Sequence, residues 1–140
     1  MIKRVVTDEE GQALTEFAMV LPVLLLVLFG IIQFGIAFNN YIDVTSAARE
    51  GARTGAVSRS LGCSGAATAI TQAADGSATN LNQAQLTVTS NLAALCSANN
   101  GSIPQGGSLT VTVTYPYSIS LLGLVVSNGS LSSSTSMRIE

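Results

Sequence analysis

A long apolar run near the N-terminus constrains this chain more than any other feature of its sequence. Between Phe17 and Phe38, Gln33 is the only strongly polar side chain. A helix of this length rises roughly 30 Å at about 1.5 Å per residue, which is enough to cross the hydrocarbon core of a bilayer. We therefore predict a transmembrane helix, followed by a polar-surfaced exported domain rich in Ala, Ser, Thr, Gly and Asn.

A cleavable secretory signal is the ordinary alternative for an N-terminal apolar run. Gly35 and Ala37 would supply the small residues for cleavage before Phe38. The run is, however, longer than the roughly 7–15 residues of a signal's apolar region, and three acidic residues at positions 8–10 precede it. We therefore favour a retained membrane helix over cleavage after Ala37.

The chain contains two cysteines, Cys63 and Cys96, and we predict that they form a disulfide bond. The even count, the absence of His and the lack of CxxC spacing argue against a metal site. A disulfide persists in oxidising compartments, so it would place the domain outside the cytoplasm. The distribution of basic residues does not decide the orientation, because they lie on both sides of the apolar run. The alternative is a pair of buried free thiols.

Composition argues against two classes of function. The formal net charge is −2 and the basic residues are scattered, so we expect no nucleic-acid binding. The chain has no His, its one Lys lies near the N-terminus, and Asp43 and Asp75 have no visible acidic partner. Serine nucleophiles would lack a base. We predict a protein that is not an enzyme and that uses no metal or cofactor.

The junction before the apolar run, from Gly11 to Phe17, carries the sharpest signal. It places Glu16 five residues after Gly11, at the mouth of the membrane helix. An acid at the bilayer centre costs roughly 2.5–3.5 kcal/mol, so this carboxylate needs a partner. Cleavage after Gly11 would create one, because the new ammonium of Gln12 in one subunit could pair with Glu16 of a neighbour. The alternative is that Glu16 reaches headgroup water near a helix N-terminus, where a carboxylate is favoured.

The same residues resemble the processing motif of type IV pilin-like proteins, in the Gly-x-x-x-x-Glu-[Phe/Tyr] form of the tight-adherence systems. The chain resembles the TadE-like family of that group in three stretches, which are residues 11–18 with Leu21-Pro22 following, residues 47–53 and residues 137–140. The resemblance covers residues 11–59 well and the last few residues moderately. It does not extend over residues 60–107.

The resemblance implies a pseudopilin or minor pilin that supports adhesion through a tight-adherence type IV pilus. A prepilin peptidase would cut between Gly11 and Gln12, and Glu16 and Phe17 would be assembly residues. The implied partners are this peptidase, other pilin-like subunits, the pilus assembly machinery and the membrane. Gln12 departs from the Phe common at the first mature position, which leaves N-methylation open, and its cyclisation would remove the amine that Glu16 meets.

The implied location is the bacterial inner membrane, with a single pass and the C-terminal domain outside the cytoplasm; incorporation in a cell-surface pilus stays open. A membrane-anchored adhesive or ligand-binding domain that never polymerises is the alternative function. The two differ in whether Glu16 matters for assembly.

We predict an α+β, pilin-like fold of three parts: a leader (residues 1–11), a long N-terminal helix (12–59) and a small α+β domain with an antiparallel sheet (60–140). Small residues at spacings of three and four, from Val44 to Gly55, fall on one helix face. We expect this face to pack on the protein's own sheet rather than on another subunit, since a sheet needs a covered face.

Within the domain, alternation and composition predict a helix and several strands. The predicted helix spans residues 65–74 and stops at Asp75-Gly76, and the predicted strands are 83–90, 108–115, ended by Pro116, and 132–139. The apolar segment 119–126 is too short to span a bilayer. We expect it in the core, rather than on a surface facing a membrane or partner.

Overall fold

The computed structural model describes residues 8–121 and 124–140 and has the predicted α+β architecture. Most of the predicted leader, residues 1–7, lies outside the described residues. The elements in chain order are helix α1 (Asp8–Val57), helix α2 (Gly62–Ser77), strand β1 (Thr87–Ser90), helix α3 (Leu92–Ala98), strand β2 (Ser108–Leu121) and strand β3 (Leu124–Arg138), with short 3-10 turns at Arg59–Leu61 and Gln83–Gln85.

Helix α1 passes through two different environments. Its apolar side chains from Leu14 to Ile42 are largely exposed on all sides, whereas from Val44 onward one face is buried. Among the described residues, α1 is the one helix long and apolar enough to cross a membrane, and none of its most apolar 18-residue window is buried. Pro22 lies inside the helix without ending it, as membrane helices tolerate.

The sheet has three antiparallel strands in the order β1-β2-β3, with β2 in the centre. The C-terminal half of α1 packs against β2, β3 and α2. Leu109, Val111 and Val113 are completely buried on the face toward the core. The opposite face carries hydroxyls that bond across the strands, such as Thr112 Oγ1 donating to Ser134 Oγ at 3.0 Å. The alternation predicted for this strand is confirmed.

Glycines let α1 approach its neighbours closely. A Cβ atom on Gly55 would lie 2.5 Å from Leu109 Cδ2 and 2.7 Å from Ile70 Cγ1, well inside van der Waals contact. At Gly51 the equivalent atom would meet Ile70 O and Val111 Cγ1 at 3.4 Å. The small-residue face of α1 therefore packs on the protein's own sheet, as predicted, and also on α2.

The predicted end of the central strand at Pro116 is wrong. Strand β2 continues to Leu121, and Pro116 pairs with Ser130 of β3. The reason is that β1 begins at Thr87, which pairs with Thr114, so β2 has a free edge from there to its own end. A proline, which has no N–H, is tolerated at such an edge. Strand β3 likewise begins at Leu124 rather than at residue 132.

Two other predicted boundaries also change. Helix α2 does not stop at Asp75-Gly76 but continues to Ser77. Of the predicted strand 83–90, only Thr87–Ser90 is extended. Asn82 accounts for the second difference, because its side chain accepts a hydrogen bond from Ala84 N at 3.1 Å and caps a 3-10 turn there.

Where its side chains are described, at residues 119, 120 and 125, the apolar segment 119–126 does not lie in the core, contrary to the prediction. It forms the end of the β2–β3 hairpin, where Ile119 is half-buried and Val125 is 64% exposed. Residues 122–123 lie outside the described residues. The core lies at the other end of the hairpin, between α1, α2 and the sheet.

A disulfide bond joins Cys63 in the first turn of α2 to Cys96 in α3. Cys96 is buried in the core and Cys63 packs against it. Both cysteines are used, so the alternative of two free thiols does not hold. The bond ties the segment before the sheet to the helix that precedes β2.

Candidate functional site

The four predicted junction residues lie together in the first turns of α1. Gly11, Gln12, Glu16 and Phe17 are all exposed. Gln12 and Glu16 are separated by four positions, so they occupy the same side of the helix about one turn apart. Cleavage before Gln12 would leave the new amine on the backbone nitrogen of Gln12, about one helical turn from the carboxylate of Glu16.

Among the residues that the structure describes, none requires a glycine at position 11. Gly11 does not have a left-handed φ, and a Cβ atom built on it meets no atom within 4 Å. A glycine inside a helix costs about 0.5–1 kcal/mol relative to alanine. The hydroxyl of Thr15 lies 3.0 Å from Gly11 O and 2.9 Å from Gln12 O, where it donates to the helix backbone. The junction thus keeps a helix-weakening residue that has no packing role.

Glu16 is far from every buried part of the chain. Val44, the first completely buried residue of α1, lies 28 positions further along, which is about 42 Å of helix. Where side chains are described, in residues 11–120, 125 and 127–140, the ion pair is Arg53 with Glu50, at 3.8 Å and on the exposed surface. The domain therefore does not provide a counter-charge for Glu16.

The remaining acidic candidates are tied into the domain structure or isolated. The carboxylate of Asp43 accepts a hydrogen bond from Asn80 Nδ2 at 3.3 Å, which links α1 to the loop after α2. Across residues 8–121 and 124–140, His, Cys, Asp and Glu side chains form no group of three or more that could hold a metal ion. The structure does not bring the cysteines near the junction, since they belong to the opposite end of the molecule.

A second feature was missed by sequence reasoning: two clefts lie between residues 33–41 of α1 and the β2–β3 hairpin. One, of about 220 Å³, is polar and has Gln33, Asn40 and Ser118 in its lining. The other, of about 230 Å³, is apolar and lies between Phe34 and Ile119. These clefts exist because β2 runs past Pro116. The available signal was that the chain's three tyrosines, at positions 41, 115 and 117, all flank this region.

A model of a known protein family matches the segment that contains the junction. The family model described as TadE-like protein matches residues 11–53, which confirms the predicted resemblance over this segment. The matched segment begins at Gly11, contains the whole apolar run and ends within the buried half of α1. No curated protein and no solved structure matches the chain at a significant level.

Proposed function

We propose, taking the TadE-like segment of residues 11–53 as the premise, that the protein is a pilin-like subunit of a tight-adherence pilus system. Helix α1 anchors it in the bacterial inner membrane, and the α+β domain lies outside the cytoplasm. The observation that carries the proposal is the junction itself, where Gly11 and Glu16 stand on an exposed helix immediately before the apolar run.

Processing takes place between Gly11 and Gln12. A prepilin peptidase removes the leader, residues 1–11, and leaves Gln12 as the first residue of the mature subunit. The absence of any packing role for Gly11 supports this, because a glycine that weakens the helix is then kept for recognition by another protein.

Assembly uses the pairing of charges at the new N-terminus. The ammonium of Gln12 and the carboxylate of Glu16 lie on one side of α1, so the same side of a neighbouring helix presents the complementary pair. Both charges cost free energy in or near hydrocarbon, and contact between subunits relieves that cost for both. The pairing also fixes the axial register between subunits. Phe17 is 59% exposed beside this site and adds apolar contact area.

Two further observations support the orientation and a non-enzymatic role. The Cys63–Cys96 disulfide fits an oxidising compartment, which supports a domain outside the cytoplasm with Gly11 on the cytoplasmic side. Two acidic residues are used structurally: Asp43 accepts a hydrogen bond from Asn80, and Glu50 pairs with Arg53. We propose that the protein acts as a minor pilin or pseudopilin, by assembly rather than by catalysis.

Processing is tested by the intact mass of the protein extracted from membranes of its native host. We expect a species that begins at Gln12, and we expect Gly11→Leu to leave the chain at full length. Gly35→Ala is the matched control, because Gly35 lies in the same helix and also has no atom within 4 Å of a built Cβ. A wild-type species that begins at Met1 would refute processing, and one that begins at Phe38 would refute the membrane anchor.

Assembly is tested separately with Glu16→Gln, which removes the charge and keeps the shape. We expect normal membrane insertion and loss of the subunit from pilus assembly complexes on native gels. Glu50→Gln is the control, because Glu50 also lies on α1 but pairs with Arg53 at the domain surface. Unchanged assembly of Glu16→Gln would favour the alternative function, a membrane-anchored adhesive or ligand-binding domain that never polymerises.

A further inference from the structure

We infer that the end of the β2–β3 hairpin, formed by residues 119–121 and 124–125, is a second membrane-contact element that enters the outer-leaflet lipid beside α1. The inference rests on the membrane anchoring of α1 in the proposed function. The apolar end of the hairpin, which lies outside the core, would then contact the boundary between lipid headgroups and acyl chains.

The first step is the direction of β2 relative to α1. Leu109 approaches Gly55 and Val111 approaches Gly51, so two strand residues advance alongside four helix residues. The two rises agree, at about 6.6 Å for the strand and about 6 Å for the helix. Strand β2 therefore runs back along α1, away from the domain core and toward the membrane.

The second step is depth. With two helix residues for each strand residue, Ile119 is expected beside α1 near position 35. Ile119 indeed lines one cleft with Phe34 and Phe38. Leu121, two residues further, is then level with about residue 31. The apolar run ends at Phe38, so the paired ends of the two strands lie about 10 Å inside the depth of that run.

The chemistry of the hairpin suits this depth. The end of the hairpin is apolar in sequence, and Val125 is 64% exposed to its surroundings. No residue from 76 to 137 carries a charged side chain, so no ionised group opposes contact with lipid. The pair Ser118 and Asn128 lies one step further from the end, at the level where α1 leaves its apolar run.

Tyrosine positions mark the same level independently. The protein has three tyrosines, and all of them line the two clefts between α1 and the hairpin: Tyr41, Tyr115 and Tyr117. Tyrosine is enriched where a membrane meets water, because its ring is apolar and its hydroxyl is polar. A single belt of tyrosines thus crosses from the helix to the hairpin.

Gln33 supplies a further independent observation. It is the strongly polar residue of the apolar run, and it is half-buried whereas Ile32 and Phe34 are exposed. It lines the polar cleft together with Ser118 of the hairpin. Gln33 therefore lines a polar cleft beside the hairpin, which shields part of this side chain from lipid at that depth.

Insertion is shallow. A two-stranded hairpin leaves backbone groups unpaired along its outer edges, and such edges are not stable deep in hydrocarbon. The hairpin end accordingly stops at the boundary between headgroups and acyl chains, roughly 5–10 Å deep, as other interfacial elements do.

The test uses single-tryptophan variants of the full chain, which has no natural tryptophan. The chain is reconstituted in phosphatidylcholine–phosphatidylglycerol vesicles with lipids brominated near the top of the acyl chain. The probe is Val125→Trp, and Leu124→Trp repeats the measurement at the adjacent position. Val57→Trp is the matched control: it is 61% exposed at the far end of α1, about 28 Å beyond Phe38. Phe34→Trp calibrates the depth.

We expect the bromolipids to lower the fluorescence of Val125→Trp and Leu124→Trp by roughly twofold, as for Phe34→Trp, and to leave Val57→Trp unchanged. Quenching of Phe34→Trp without quenching of the hairpin variants overturns the inference alone. If Phe34→Trp is also unquenched, the membrane anchor itself fails. The tryptophans of the hairpin variants could instead show blue-shifted emission that bromolipids do not quench and that depends on protein density. This result would show that a second copy of the chain covers the hairpin, and it would overturn the inference of lipid contact.

Discussion

Gly55 offers the sharpest test of how closely α1 packs on the domain. Replacing it by alanine places a methyl group 2.5 Å from Leu109 Cδ2 and 2.7 Å from Ile70 Cγ1, where carbon atoms normally lie about 3.5–4.0 Å apart. Leu109 is completely buried and Ile70 is 2% exposed, so neither side chain can swing into solvent. Overpacking of this kind costs about 1–3 kcal/mol.

Helix propensity acts in the opposite direction and needs a control. Alanine is favoured over glycine by up to about 1 kcal/mol inside a helix. Gly76→Ala isolates this term, because Gly76 lies in α2 and a Cβ there meets no atom within 4 Å. We therefore expect Gly55→Ala to have a free energy of unfolding about 1–3 kcal/mol below that of Gly76→Ala.

The assay is urea unfolding of the full chain in detergent micelles, followed by tyrosine fluorescence. The chain has no tryptophan, and its three tyrosines line the clefts between α1 and the β2–β3 hairpin, so the signal reports on the contact between the domain and α1. In thermal unfolding the same difference corresponds to about 4–8 °C per kcal/mol for a domain of this size. Equal stability of the two variants would refute the close approach of α1 to Leu109 and Ile70.

Two further predictions concern the domain. Replacing Cys63 and Cys96 together by alanine should lower the free energy of unfolding by about 4 kcal/mol, since the bond closes a loop with a sequence separation of 33. The oxidised and reduced wild-type protein should differ by a similar amount in urea unfolding. Equal stability of the two forms would contradict the loop argument. Asn91→Ala should cost about 1–3 kcal/mol, because its side chain accepts from Thr110 N at 2.8 Å and donates to Ser108 O at 3.0 Å. The exposed Asn128→Ala should change stability little, and an equal loss in both variants would show that Asn91 does not hold α3 to β2.

The sequence alone predicted those elements whose signal is local. An apolar run of this length indicates a membrane helix wherever the rest of the chain lies. Alternation from Leu109 to Val113 identified the buried face of β2, and the spacing of small residues from Val44 to Gly55 identified the face of α1 that packs on it. The junction from Gly11 to Phe17 was also visible directly, because its chemistry depends on residue types at fixed spacing.

The tertiary structure decided what depends on a distant partner. Pro116 is a strand breaker by its own chemistry. Strand β2 nevertheless continues through it, because its pairing with β1 stops at Thr114 whereas its pairing with β3 continues. The same long pairing carries Ile119 and Val125 out of the core, which no local pattern indicates. Strand length is set by which neighbours are available to accept hydrogen bonds, and that information lies elsewhere in the chain. The sequence therefore determined the long apolar helix and the packing faces, whereas the position of the β2–β3 hairpin along α1 was decided only by the fold.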